Sequence, residues 1–470
     1  MRNCFKWSEW TSSLSYVCLI FILIFSNTVL AEQNNINRQL KKLEEDYQSI
    51  LTDFYRDKAS YAVESMQAIP SIDLLHSEIL WRISSKQPVV AIQLIYFNIH
   101  TVRNSIKHKA IIEFIRLLLE NNDMNLANTL LDDVQKKGNH DLLPEIHFQF
   151  ARYYAQRNKW SKVNDLINES VSKLSSTNRE SAFLLNGVAL MHMANYQLAK
   201  ESFVRIPASS QKFVYAQLNV AIANIKLGLW EEVETEIDSA INKVLFDKGG
   251  EIVNRLYLLL GYTQMQRHNN TKARIAFRRI SLDSRYTNRA LVGIGLTAVN
   301  QKDFSGALNA LTILKNKKTI DLSVDESYVL FSYLYEKQFQ EYKMSTSYIQ
   351  AMKYYQNRIE QLEAIATEEN DLSLISYDDT ASTIVINNNS FDYSKMYPES
   401  FMSNYRLLNQ YLKLSKTESL KNKIKKLTYR YDKMLQKITS ILARQRKEYL
   451  ISYLNQSRFG LAHLYDSSQK

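Results

Sequence analysis

Histidine is the side chain best suited to proton transfer or metal ligation near neutral pH, so the eight histidines come first. They stand at His76, His100, His108, His140, His147, His192, His268 and His463. No two are three or four residues apart, the spacing that brings two imidazoles to one metal on a helix. His140 and His147 are seven apart, but Pro144 lies between them and breaks the shared face. The carboxylate pairs Glu44-Glu45, Glu231-Glu232 and Glu368-Glu369 are adjacent in sequence. Neighbouring residues diverge on a helix and cannot flank one scissile bond as paired catalytic carboxylates do. Gly293-Ile294-Gly295 is the nearest thing to a phosphate loop, yet it sits inside a helical pattern where close packing explains it. There is no G-x-S-x-G elbow. These residues predict no catalytic set, no metal and no cofactor, and the chain is read as not an enzyme.

Both cysteines, Cys4 and Cys18, lie in a targeting segment. Arg2 and Lys6 give it a positive start, Leu14 to Phe25 is mostly apolar, and Val29-Leu30-Ala31 is a small-residue cleavage site. An apolar run of about a dozen residues is short for a membrane span of roughly 20. The expectation is a cleaved signal peptide over 1–31 and a periplasmic protein; the alternative is an inner-membrane anchor formed by the uncleaved segment. The mature chain would have no cysteine, which suits an oxidising compartment and excludes thiol chemistry. Loss of Arg2, Lys6 and Glu9 lowers the formal charge from +11 to +10. Such a chain is drawn to anionic partners: an acidic protein, an anionic glycan or a membrane surface. Nucleic acid carries the same electrostatic attraction, but an exported protein rarely meets it, and it is excluded as the expected partner.

The elements that would hold a binding surface are written in the spacing. Gly 10 and Pro 5 in 470 residues, with 45% hydrophobic, suit an all-α chain. Gly261, Asn270, Ala273 and Phe277 are followed 34 residues on by Gly295, Phe304, Ala307 and Leu311. The same four columns run through seven copies. The Ala-like column is Ala91, Ala127, Val163, Ala199, Val233, Ala273 and Ala307, with gaps of 36, 36, 36, 34, 40 and 34. Twelve residues earlier stand Ile79, Ile115, Ala151, Gly187, Ala221, Gly261 and Gly295, and three earlier Pro88, Met124, Trp160, Tyr196, Trp230, Asn270 and Phe304. Four later stand Ile95, Leu131, Ile167, Phe203, Ile237, Phe277 and Leu311. The pattern predicts stacked two-helix hairpins in which the small residue lets the first helix touch the second.

Over residues 74–315 this pattern resembles the tetratricopeptide-repeat family, with Gly187–Phe203, Ala221–Ile237, Gly261–Phe277 and Gly295–Leu311 as the best matches. Phe277 to Leu311, joined by Ser284-Arg285-Tyr286-Thr287-Asn288-Arg289-Ala290, also resembles exported proteobacterial repeat proteins of unknown role. The resemblance implies a TPR-like α-solenoid whose concave face is lined by the first helices. It places Arg152, Gln156, His192, Tyr215, Lys226, Arg255, Tyr262, Gln266, Arg289 and Asn300 on that face as candidate partner-binding residues. The cationic members would receive an acidic peptide, a carboxyl terminus or an anionic glycan.

Outside the array, 32–73 reads as a degenerate hairpin cap whose polar start, 32–45, frays. The array occupies 74–322. Ser323-Val324-Asp325-Glu326 is a capping box that opens a further helical pair over 323–369. Residues 370–400 lose the periodicity and read as an irregular loop or linker, with Thr383 to Ile386 able to form a short strand or docking segment. In the basic helical region 401–470, Leu420, Ile424, Leu427, Tyr431, Met434, Ile438 and Ile441 form a coiled-coil-like heptad seam. It packs on the chain's own helices 344–366 or 401–414, or it mediates self-association through 420–441. The function expected is a non-enzymatic scaffold that holds a protein partner of an envelope complex in its groove. The alternative is an accessory binder of cell-wall or anionic polysaccharide that assists an envelope enzyme or exporter.

Overall fold

The computed structural model describes residues 35–57, 67–244, 250–367, 375–378, 383–392 and 400–468. The expected signal segment, with both cysteines, lies outside the described residues. Among the described residues no helix is long and apolar enough to cross a membrane.

Eight helical hairpins follow one another, and the fold is a tetratricopeptide-type α-solenoid. After α1 (35–56), they are α2/α3 (Ile72–Ser84, Pro88–Phe97), α5/α6 (Ala110–Glu120, Met124–Lys137) and α7/α8 (Leu143–Ala155, Trp160–Ser170). Next come α9/α10 (Ser176–His192, Tyr196–Val204), α11/α12 (Phe213–Leu227, Trp230–Val244) and α13/α14 (Gly250–Gln266, Asn270–Arg278). The last two are α15/α16 (Thr287–Asn300, Phe304–Lys315) and α17/α18 (Leu322–Lys337, Glu341–Ala366). A short α4 (Ile99–Asn104) separates the first two hairpins. The column that starts at Pro88 and ends at Phe304 marks the first residue of the second helix in the first seven hairpins.

Each hairpin turns on one left-handed residue two positions before its second helix: Lys86, Asn122, Asn158, Ala194, Gly228, His268, Lys302 and Phe339, with φ between 55° and 77°. The amide after it closes back on the first helix, as Asn269 N does on Gln264 O at 2.9 Å. That is a Schellman closure. The small column then meets its large partner. An ideal Cβ on Gly187 would lie 2.6 Å from Phe203 Cδ1, and one on Gly261 2.5 Å from Phe277 Cδ1. Bulk on one helix is matched by its absence on the other.

First helices of successive hairpins touch one another, while second helices make no comparable contact. The second helices are instead tied by long polar side chains, Lys200 to Glu232 at 2.5 Å, Lys272 to Glu234 at 2.8 Å and Arg274 to Asp303. The array therefore curves with the first helices inside.

Two departures from the sequence reading concern the ends. Residues 32–45 do not fray over their described part: Ile36, Leu40 and Leu43 are buried in α1, in one core with the C-terminal helices. Those helices are α19 (Ser400–Leu414) and α20 (Glu418–Ser468). α1 runs antiparallel to α20, tied in steps of seven: Asp53 to Lys423 at 2.8 Å, Asp46 to Arg430 at 2.5 Å and Gln39 to Lys437 at 3.3 Å. Glu44 also bonds Arg157 at 2.9 Å and Asn404 at 2.6 Å, which links α1 to the third hairpin and to α19. The whole heptad seam of α20 is buried, from Leu420 at 5% exposure to Ile441 at 3%, so it is not available for self-association. The later half of α20 lies antiparallel on α18, with Ser440 Oγ donating to Ala366 O at 2.7 Å and Lys447 paired with Glu363 at 2.8 Å. One 51-residue helix thus connects the last hairpins to α1, which packs on the early ones.

The second concerns the aperiodic stretch 370–400, where the short strand expected at Thr383 to Ile386 forms, but as the middle of a β-meander. Strands β1 (Ile375–Asp378), β2 (Thr383–Ile386) and β3 (Asn389–Asp392) pair antiparallel in chain order. Asn387 and Asn388, at φ 47° and 64°, make the two-residue turn with both residues left-handed that suits a tight hairpin. Ile384, Ile386 and Phe391 bury one face. Beneath the sheet lies Asp325, fully buried, which accepts from Arg446 Nε at 2.8 Å, Arg358 Nε at 3.3 Å and Tyr354 Oη at 2.7 Å. Arg358 and Arg446 reach on to Asn389 Oδ1 and Ser390 O, so this charge cluster joins α17, α18, α20 and β3.

Candidate partner-binding groove

On each first helix, one stripe contains the residue after the small column, the residue seven before it and the residue four after it. On α11 this stripe is Tyr215, Ile222 and Lys226; on α13 it is Arg255, Tyr262 and Gln266; on α15 it is Arg289, Leu296 and Asn300. Arg152 and Gln156 on α7, and His192 on α9, hold the same positions. All ten candidate residues therefore fall on this one stripe.

Their surroundings divide them. Arg152 is engaged, 3.6 Å from Glu120 and donating to Gln149 at 3.0 Å. Gln156 sits at the junction with α19, its carbonyl accepting from Ser400 N at 3.4 Å. His192 lies flat on Trp160, with ring centroids 4.1 Å apart, and burial lowers the pKa of its imidazole. Tyr262 donates to Arg289 O at 3.1 Å, and burial pushes its phenol up to about 12. Asn300 donates to Asn270 at 3.2 Å. Lys226, Arg255 and Arg289 are exposed, and none has an ion-pair partner among the described residues. They belong to three consecutive hairpins. On α5, by contrast, Arg116 is matched by Glu113 and Glu120.

The sequence reading missed what lies between the cations. Val188, Met191, Ile222, Ile225, Met265 and Leu296 are half-buried apolar residues along the centre of the stripe. They form a floor, with Lys226 at one rim and Arg255 and Arg289 at the other. The eleven residues between rim positions on one helix give a width of about 16 Å at 1.5 Å per residue. Spacing alone cannot separate these residues from core, because they obey the same helical period. The signal for them is their register: Val188, Ile222 and Leu296 stand one residue after the small column, and Met191, Ile225 and Met265 four after it, one before the polar rim. Glu326, one hairpin further along the same stripe, is a half-buried carboxyl whose pKa is raised by burial and by nearby Asp321.

An apolar floor between cationic rims suits a ligand with an apolar face and acidic flanks. It supplies no nucleophile beside a base. Among the described residues no group of three His, Cys, Asp or Glu could hold a metal.

No family model matches the chain, and no curated protein matches it. Solved structures with a similar course include one titled for the functional characterisation of Pseudomonas aeruginosa pilF. It has 15% identity and TM-score 0.36, covering 46% of this chain and 93% of that one. The apo form of RapI aligns at 13% identity and TM-score 0.39, covering 67% of this chain and 96% of that one. The Cut9-Hcn1 hetero-tetramer of the APC/C aligns at 13% identity and TM-score 0.28, covering 89% and 95%. The fold is defined by the hairpin geometry itself.

Proposed function

We propose that this chain is a non-enzymatic scaffold of the bacterial cell envelope that holds a segment of a protein partner in the groove of α9 to α15. The observation that carries the reading is the half-buried apolar stripe flanked by three unpaired cations on consecutive hairpins. Burying an apolar face there releases water, and the unpaired rims favour a partner whose flanks are acidic. The floor weighs against the polysaccharide alternative, because a glycan presents hydroxyls that six aliphatic side chains cannot bond.

The test is Lys226→Glu combined with Arg289→Glu, with folding followed by circular dichroism. Among the described residues neither side chain has an ion-pair partner, so the fold is spared. Partner capture from an envelope fraction should fall at least tenfold. A double variant that captures the same protein as well as the parent removes the groove from the account.

A further inference from the structure

The first half of α20 carries a second, separate surface. Of its basic residues, Lys423, Arg430 and Lys437 turn towards α1 and are engaged there. Lys425, Tyr429 and Lys433 lie on the side of the helix opposite the buried seam, with Lys421 and Lys426 flanking them. Lys425, Lys426 and Lys433 are exposed and Lys421 half-buried; among the described residues none of the four side chains has an ion pair or hydrogen bond. Tyr429 stands between them at 60% exposure, with Lys433 5.7 Å from its ring centroid. Lys421, Lys425, Tyr429 and Lys433 are four apart, so they form one ridge of about 18 Å along the helix. No Asp or Glu occurs from 419 to 431. The next acid, Asp432, is held by Tyr405 Oη at 2.7 Å.

We propose that this ridge docks the protein on a bilayer surface rich in anionic lipid headgroups. Three features favour a bilayer over a single acidic ligand. The ridge is a solvent-facing strip of one helix, with Lys425, Tyr429 and Lys433 all exposed. Its cations are lysines, point charges on flexible stems that suit a diffuse sheet of phosphates better than one forked carboxylate. The exposed tyrosine has the amphipathic ring that settles at a membrane interface. Each lysine near such a surface strengthens binding by about fivefold. The ridge shares no residue with the groove.

The test compares co-sedimentation of the full chain with vesicles of equimolar phosphatidylglycerol and phosphatidylcholine against phosphatidylcholine alone. The parent should bind the anionic vesicles at least tenfold more tightly, and the preference should fall as salt is raised. The Lys421→Gln/Lys425→Gln/Lys426→Gln/Lys433→Gln variant should lose it, with an unchanged circular-dichroism melt. A Lys226→Gln/Arg255→Gln/Arg289→Gln variant should keep it. Tyr429→Trp should shift its emission to shorter wavelength on anionic vesicles only. Equal preference in parent and ridge variant overturns the proposal. So does a parent without preference, or one that ignores vesicles while binding soluble polyphosphate.

Discussion

Replacing Gly261 by alanine tests the packing logic of the array with a single methyl group. Alanine is the better helix former by about 0.8–1 kcal/mol, so an unhindered site would gain stability. Here the new Cβ would lie 2.5 Å from Phe277 Cδ1 and 2.8 Å from Cζ. The ring cannot retreat: it is 1% exposed, and its far edge abuts Gly293, whose ideal Cβ would lie 2.5 Å from Cζ. Phe277 is clasped between the backbones of α13 and α15. Overpacking of this kind costs about 1–3 kcal/mol, which outweighs the propensity gain and leaves a net loss of about 1–2 kcal/mol. Gly261→Leu, a far larger intrusion, should lose about 2–3 kcal/mol or more by the same reasoning. Gly295 is the internal control. Its Cβ would stand 3.2 Å from Leu311 Cδ2, the movable end of a flexible side chain, so Gly295→Ala should be neutral or gain up to about 0.5 kcal/mol. In the Gly261→Ala background, Phe277→Leu should restore part of the loss, a coupling visible only in the double mutant. The assay is urea unfolding followed by circular dichroism. A Gly261→Ala protein as stable as the parent, or equal effects at 261 and 295, would refute the clasp.

Three further outcomes follow from the same structure. Asp325→Ala should cost about 3–5 kcal/mol in a urea melt, since it leaves the buried Arg358 and Arg446 without their carboxylate. Asn224 is fully buried with neither amide atom bonded, and the preceding hairpin has Leu190 in its place; Asn224→Leu should raise stability by about 1–2 kcal/mol. His268→Gly relieves a left-handed residue at φ 60° and should raise the melting midpoint, by about 0.5–1 kcal/mol of stability.

The hairpins were legible in the sequence because each is a local object. Gly261 and Phe277 are sixteen residues apart, and the same pair of positions recurs at that offset along the array. The register of the second helices followed, down to their first residues. α1 was not legible. Its buried residues sit among charges, and the partner that buries them lies some 370 to 400 residues later in the chain. The seven-residue steps of Asp46 and Asp53 against Lys423 and Arg430 mean something only once the two helices are laid together. The sheet left a clearer trace, since Asn387-Asn388 between Ile386 and Phe391 is a hairpin turn sequence, but three four-residue strands are too short to outweigh the polar stretch around them. In the groove, the resemblance supplied the rims. The apolar floor went unread because a half-buried leucine and a core leucine keep the same period.

The most direct measurement is photocrosslinking in intact envelopes, with benzoylphenylalanine placed at Ile222 or Met265 in the groove and at Ile275 or Ile313 on the second helices. Those outer positions are 53% and 48% exposed, so the probe is accessible there. A defined protein adduct from the groove positions, absent from the outer ones, is the result the account predicts. The same adducts from both faces, or none from the groove, would contradict it.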